Sequence, residues 1–321
     1  MFPDGLCWMH PYVITLCVDT RNWFVEFLSM WYSSAQIRGT HDMKLYHLLF
    51  LPVLVLGCAH NPRSSAHLFS EPVTVMGHRG ARAVAPENTA AGFEVAASLS
   101  VPFELDTTLC GSGELVVIHD ETLERTTDGA GLVSETSLET LATLDAGTSF
   151  GSAFAGEPIP TLEQTLDRFA ARVLVNIEVK AGPGAEAEPL AAAVVSLVEE
   201  KGLVDRVIVT SFNPFVLEQV RLKNPDIFRG QIYGTFRGSG LGLLPRVLLK
   251  NLAFNRKAVP DMLMVESAMV TKRYIRKMHR RGYRVFTWTV NEPDEVRRVR
   301  DAGVDGIITD DPAATLEIIR Q

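Results

Sequence analysis

The chain has 321 residues, 46% of them apolar, enough to bury one large α/β core. Its formal net charge is −7 and its pI about 5.7. With no basic surface to meet a phosphate backbone, a DNA- or RNA-binding role is excluded, although phosphodiester chemistry on other substrates is not.

The first 70 residues differ from the rest. Residues 1–42 hold Trp8, Trp23 and Trp31, three of the chain's four tryptophans, without a periodic pattern. They read as an extension upstream of a start at Met43, and no structure is expected of them. Lys44 then opens a weakly basic segment, residues 48–56 are apolar, and Gly57 precedes Cys58. That run is too short to cross a bilayer, which takes about 20 residues as a helix. A charged start, an apolar middle and a small residue before a break fit a secretory signal. Residues 43–57 resemble a bacterial lipoprotein signal, in which Cys58 becomes the acylated first residue. The match departs slightly, with Val55 where Leu is commoner and a single lysine ahead of the apolar run. The resemblance implies a membrane tie through an N-terminal lipid anchor, a place in the bacterial cell envelope, and residues 58–70 as a polar linker. The competing reading, a buried helix in a cytoplasmic protein, calls for more length and amphipathic spacing. After removal of the signal only Cys58 and Cys110 remain, so no disulfide framework is expected. Cys110 reads as a small apolar residue at a strand end.

From residue 71 to 321 short apolar runs alternate with helical stretches. The first strand is expected over residues 73–76, with Pro86, Glu87, Asn88 and Thr89 leading into a helix over 90–99. Glu87 and Asn88 read as helix caps as readily as site residues. Residues 103–109 form the second strand, whose alternation sends Glu104 and Asp106 to one face. A tight turn at Gly111, Ser112 and Gly113 returns the chain through 114–118 to His119 and Asp120. Residues 121–160 are loop-rich, with a short helix near 138–144, and are placed over the C-terminal face of the sheet. A helix over 161–171 follows. Six further strands are expected over 173–179, 207–210, 228–233, 262–265, 284–289 and 305–309, each followed by a helical stretch. Such alternation means βα units and a parallel sheet. Eight of them in about 250 residues match a (β/α)8 TIM barrel, here with a short extra hairpin and a loop excursion after the second strand. The alternative, an open doubly wound sheet, lacks a glycine-rich nucleotide loop after its first strand. Residues 236–258 read as the fifth barrel helix with a basic outer face, or as an amphipathic element touching lipid near the mouth.

Polar chemistry recurs where the apolar runs end, as it does at the C-terminal face of a β/α barrel. Glu104, Asp106 and Glu178 are three carboxylates from two strands. Converging oxygen ligands suit Mg²⁺ or Ca²⁺, which would act as a Lewis acid on a phosphoryl oxygen. His78 and His119 end two other runs, beside glycine and aspartate, and an imidazole titrates near neutrality. Cleaving a phosphodiester takes a base for the nucleophile and an acid for the leaving oxygen. A two-histidine, one-carboxylate iron site is the other use of such residues. Arg79 beside His78 and Lys180 beside Glu178 favour an anionic substrate instead. His279 sits in a run of basic residues and reads as a solvated helical face. Trp288, at the end of the seventh strand, reads as a core residue in the general case and, at a barrel mouth, as a surface for an alcohol to pack on.

His78, Arg79 and Gly80; Pro86, Glu87, Asn88 and Thr89; Glu104 and Asp106; His119 and Asp120 with Arg125; Glu178 and Lys180; and Trp288, Thr289, Val290 and Asn291 together resemble the glycerophosphodiester phosphodiesterase family. The similarity spans residues 73–320. It implies a TIM barrel that hydrolyses glycerophosphodiesters to sn-glycerol 3-phosphate and an alcohol. It implies one divalent cation on Glu104, Asp106 and Glu178, an acid–base pair of His78 and His119, and phosphate contacts from Arg79 and Lys180. In the family the substrate's glycerol hydroxyl is thought to attack first, giving a cyclic phosphate that water opens. Ca²⁺ is favoured over Mg²⁺ because an exported site meets millimolar calcium. Two readings compete with this one: a lysophospholipase D acting on acyl lipids, and a non-catalytic surface lipoprotein that keeps the fold as a scaffold. No protein partner is expected.

Overall fold

The computed structural model describes residues 62–69, 71–181, 187–235 and 255–321. The upstream extension, the signal segment, Cys58 and residues 236–254 lie outside these. Among the described residues no helix is long and apolar enough to cross a membrane.

Among the described residues nine strands form one sheet: β1 (Thr74–Gly77), β2 (Phe103–Leu109), β3 (Leu115–Val117), β4 (Val175–Val179), β5 (Val207–Ser211), β6 (Phe228–Tyr233), β7 (Met262–Glu266), β8 (Arg284–Trp288) and β9 (Gly306–Thr309). All but β3 run parallel, in the order β1, β9, β8, β7, β6, β5, β4, β2, and pairing of Gly77 with Phe103 closes the ring. The molecule is the expected (β/α)8 barrel. β3 folds back antiparallel on β2, with Thr107 opposite Val117, and is the extra hairpin. Strand limits match the apolar runs to within two residues, since each run must be buried on both faces of the sheet.

Two layers of apolar side chains hold the barrel. Inside it lie Met76, Ile208, Phe228, Met262, Met264, Phe286 and Ile308. Gly306 makes room for one of them: a Cβ there would stand 2.2 Å from the Phe286 ring. Between strands and helices a second layer includes stacked Phe93 and Phe103, with Phe169 edge-on to both. The helices begin on recognisable signals. Thr161 and Gln164 form a reciprocal capping box for Leu162–Phe169. Proline opens Pro214–Lys223, Pro293–Ala302 and Pro312–Arg320.

The chain enters across the N-terminal end of the barrel. Phe69 packs on Phe286, with ring centroids 5.1 Å apart. Arg63 makes a two-pronged pair with the fully buried Asp261, Nε to Oδ1 at 2.8 Å and Nη2 to Oδ2 at 2.8 Å. At the opposite end the excursion after β3 has a small core of its own, built from Val116, Ile118, Leu123, Val133, Leu141 and Ile159. Its apolar packing lets a stretch with little regular structure stand beside the mouth as a fixed wall.

Candidate active site

Strand alternation puts Glu104 and Asp106 on the inner face of β2, and register sets Asp106 opposite Glu178 of β4. The three carboxylates offer oxygens that all lie within 4.8 Å of one another. Glu104 and Asp106 are buried and Glu178 nearly so. Cations and donors only partly compensate. The Arg79 backbone N–H donates to Glu104 Oε2 at 2.9 Å, while Glu104 Oε1 is buried without a partner. Lys180 Nζ stands 2.8 Å from Glu178 and 3.1 Å from Asp106. Asn88 donates to Asp106 Oδ2 at 2.9 Å and accepts from its N–H at 3.2 Å. Burial, then repulsion from Asp106 and Glu178, pushes the Glu104 carboxyl well above its ordinary range. Burial likewise raises Glu178, against the pull of Lys180. Burial acts upward on Asp106 too, but Lys180 and Arg79 outweigh it and hold it low. Within this buried cluster Glu104 Oε1 is left to accept a further partner. A hard divalent cation fits this donor set.

His78 follows the last residue of β1. Its Nδ1 lies 2.6 Å from Asp310 Oδ1, just past β9. Asp310 is fixed in turn by Asn291, whose Nδ2 donates to Oδ2 at 2.9 Å and whose Oδ1 accepts from the Asp310 N–H at 2.9 Å. Burial works to raise the Asp310 carboxyl, but His78 and Asn291 hold it low, so it stays ionised and accepts. His119 follows the hairpin strand β3, and its Nδ1 lies 2.5 Å from Asp120 Oδ1. A carboxylate at Nδ1 keeps the proton there and leaves Nε2 for chemistry. Burial lowers the His119 imidazole, and nearby Lys180 acts the same way against Asp106 and Asp120. Both histidines line one cavity of about 250 Å³ with Arg79, Arg82, Glu104, Glu178 and Lys180. Its other wall is apolar: Phe212, Ile232, Met264, Trp288 and Ile308. Trp288 is held by its indole N–H on the Met264 carbonyl at 3.1 Å, edge-on to Phe212.

The loop after β1 is built for close approach. Arg79 and Asn88 sit at φ 50° and 57°, and Gly80 at 91°. A Cβ on Gly80 would stand 2.6 Å from the Gly92 backbone, so the loop lies directly on helix Ala90–Ser98. Of the two readings of Glu87 and Asn88, the structure sets capping aside. The helix is capped by Thr89, whose side chain accepts from the Gly92 N–H, and neither Glu87 nor Asn88 caps it. Both are free for the site. Glu87 accepts from Arg79 Nη1 at 2.7 Å and from Arg125 at 2.7 and 3.0 Å, and pairs with Arg82 at 3.0 Å. Burial acts to raise its carboxyl, but Arg125 and Arg79 hold it at about 2. Arg79 Nε also lies 3.2 Å from Asp106, so its fork is aimed between the acidic cluster and Glu87.

The barrel's candidate site residues thus meet at one mouth: His78, Arg79, Glu104, Asp106, His119, Glu178, Lys180 and Trp288. His279 does not. It lies on a helix elsewhere, partly exposed and 2.8 Å from Asp305. Cys110 is buried and free. The sequence did not single out Asp310. A signal was there: of the adjacent Asp310 and Asp311, Asp311 caps the last helix through the Ala314 N–H, leaving Asp310 without a local task.

Three clustered carboxylates, two carboxylate-paired imidazoles and the Arg79 and Lys180 cations thus share the C-terminal mouth of a parallel barrel. A profile of the glycerophosphoryl diester phosphodiesterase family matches residues 78–314. A glycerophosphodiester phosphodiesterase of Caldanaerobacter subterraneus is 36% identical over 254 residues, covering 77% of this chain and 98% of that protein. YhdW of Bacillus subtilis, a putative glycerophosphodiester phosphodiesterase, is 35% identical over 74% of this chain and 94% of its own. Among solved structures, an Oleispira antarctica phosphodiesterase in complex with the product sn-glycerol-3-phosphate superposes with a TM-score of 0.68 at 28% identity, covering 77% of this chain and 97% of that one. The chain belongs to the glycerophosphoryl diester phosphodiesterase family.

Proposed function

We propose that the protein is a metal-dependent hydrolase of glycerophosphodiesters, releasing sn-glycerol 3-phosphate and an alcohol. The reading is carried by one small cavity that gathers two carboxylate-paired histidines, the Arg79 and Lys180 cations, and Glu104 and Glu178 of a carboxylate cluster completed by Asp106. The complex of the Oleispira relative with sn-glycerol-3-phosphate supports the choice of substrate.

Glu104, Asp106 and Glu178 would hold the cation, either Ca²⁺ or Mg²⁺. When bound it supplies a Lewis acid for a phosphoryl oxygen and relieves the repulsion among its ligands. Arg79 and Lys180 offer the substrate phosphate a planar fork and a point charge. Trp288 and Phe212 give the carbon part of the substrate an apolar wall. His78 and His119, with Nδ1 committed to Asp310 and Asp120, each present Nε2. One imidazole takes the proton of the attacking glycerol hydroxyl while the other gives a proton to the leaving alcohol. Opening of the resulting cyclic phosphate by water reverses the two transfers.

The proposal includes acylation at Cys58 and attachment to the cell envelope, on the strength of the sequence. Residues 62–69 join the barrel at the end opposite the mouth. The mass of the mature N-terminus tests the anchor.

The activity is tested with a panel of glycerophosphodiesters and lysophospholipids, following sn-glycerol 3-phosphate with and without chelator. Release from the deacylated diesters, lost on chelation and restored by Ca²⁺ or Mg²⁺, is expected. His119→Ala should abolish turnover while folding persists. Metal-independent release, or wild-type rates in that variant, would overturn the reading.

A further inference from the structure

Both histidines are held by a carboxylate at Nδ1, but the two carboxylates are supported differently. Asp310 has its own anchor in Asn291, which gives it one hydrogen bond and takes another. Asp120 has no such neighbour. Its support is Arg125, which clasps it through Nε and, at 3.0 Å, through Nη2. Arg125 is 44% exposed and would lose this geometry if nothing held its far edge. Glu87 holds it, with both carboxylate oxygens on the guanidinium. Glu87 is itself 10% exposed and fixed from two more sides, by Arg79 and Arg82. A chain of contacts therefore runs from Glu87 through Arg125 and Asp120 to His119. The same carboxylate sets the plane of Arg79, which faces Asp106.

We propose that Glu87 is a positioning residue: its carboxylate fixes Arg125 on Asp120 and thereby fixes the ring of His119, while His78 is held independently through Asp310 and Asn291. The chemical consequence rests on the hydrolase reading above, but the positioning itself does not. Two parallel N–H···O bonds at each end of a planar guanidinium transmit orientation as well as charge. With Asp120 aligned, the Nδ1 proton of His119 stays in place and Nε2 stays aimed into the cavity. With Glu87 gone, Arg125 is free to turn into solvent, and Asp120 keeps only a single short-range partner. The Arg82 contact with Asp310 is long, at 3.9 Å, so the disturbance should not travel to His78.

The test is Glu87→Gln, with Glu87→Asp and Arg125→Lys as companions. Gln keeps the shape but has one acceptor where three arginines need two. Side-chain ¹⁵N spectra of the metal-free protein should show His119 changing from one dominant tautomer to a mixture, with His78 unchanged. Turnover of a glycerophosphodiester should fall about 10- to 100-fold, mostly in kcat. Because Glu87 and Arg125 act as one unit, the double variant Glu87→Gln, Arg125→Lys should be no slower than the slower single variant. The shorter Asp should restore part of the lost turnover. Equal disturbance of both histidines, an unchanged His119 tautomer, or additive losses in the double variant would overturn the proposal. The tautomer measurement stands even if the wild type hydrolyses some other ester, which separates failure here from failure of the substrate assignment.

Discussion

Replacing Glu104 by Gln should stabilise the metal-free protein and remove most of its stabilisation by metal. The ligand oxygens of Glu104, Asp106 and Glu178 lie within 4.8 Å of one another. At that separation two unit charges repel by roughly 3 kcal/mol at an effective dielectric near 20. Glu104 faces two such neighbours and one cation, Arg79, in a buried position. Burial and those neighbours raise its folded pKa, so folding takes up a proton. The stability this group contributes is present below the unfolded pKa and is lost as pH rises toward the folded value. The loss runs at up to about 1.4 kcal/mol per pH unit. Gln cannot ionise and escapes it, so the variant's advantage opens above about pH 5 and widens toward neutrality. Saturating cation reverses the order. At a hundred times its dissociation constant, metal stabilises the wild type by about 2.7 kcal/mol. The variant, one ligand short, should gain far less. Urea unfolding across this pH range, in chelator and then in Ca²⁺ or Mg²⁺, measures both effects. A variant less stable than the wild type in chelator at every pH, or one that keeps the full metal stabilisation, would refute the reasoning.

Arg63→Ala should lower stability by about 2–3 kcal/mol, because the buried Asp261 loses two charged hydrogen bonds. It should leave kcat unchanged, since the pair sits at the end of the barrel away from the mouth. Thermal unfolding with a parallel rate assay checks both halves. Gly80→Ala combines a positive φ of 91° with a Cβ 2.6 Å from the Gly92 backbone. A loss of about 2 kcal/mol or more is expected. Turnover should fall with it, because the same loop carries His78, Arg79 and Glu87. A Gly80→Ala variant as stable and as active as the wild type would mean that this loop tolerates a different path.

The barrel was legible because its information is local. Most strands are short apolar runs, and in β2 Glu104 and Asp106, two residues apart, had to share a face. Glu178 could be placed with them because it ends the next barrel strand. The hairpin was legible from Gly111 and Gly113. The supports of the site were not, for they depend on pairs far apart in sequence: His78 with Asp310, Arg125 with Glu87. Nothing in local spacing marks an aspartate as the partner of a histidine 232 positions away. The helix after β1 shows a second limit. Pro86, Glu87, Asn88 and Thr89 all suit a helix start, and only the backbone reveals that Thr89 alone caps. That choice frees Asn88 to hold Asp106 and Glu87 to gather three arginines.

The central claim is that one mouth gathers the cation ligands and the two imidazoles around a single phosphate. A crystal structure grown with Mn²⁺ as an anomalous scatterer and with sn-glycerol 3-phosphate tests it most directly. The account predicts one anomalous peak bonded to oxygens of Glu104, Asp106 and Glu178, with the phosphate reached by Nε2 of both His78 and His119. A cation bound elsewhere, or a phosphate out of reach of either imidazole, would contradict it.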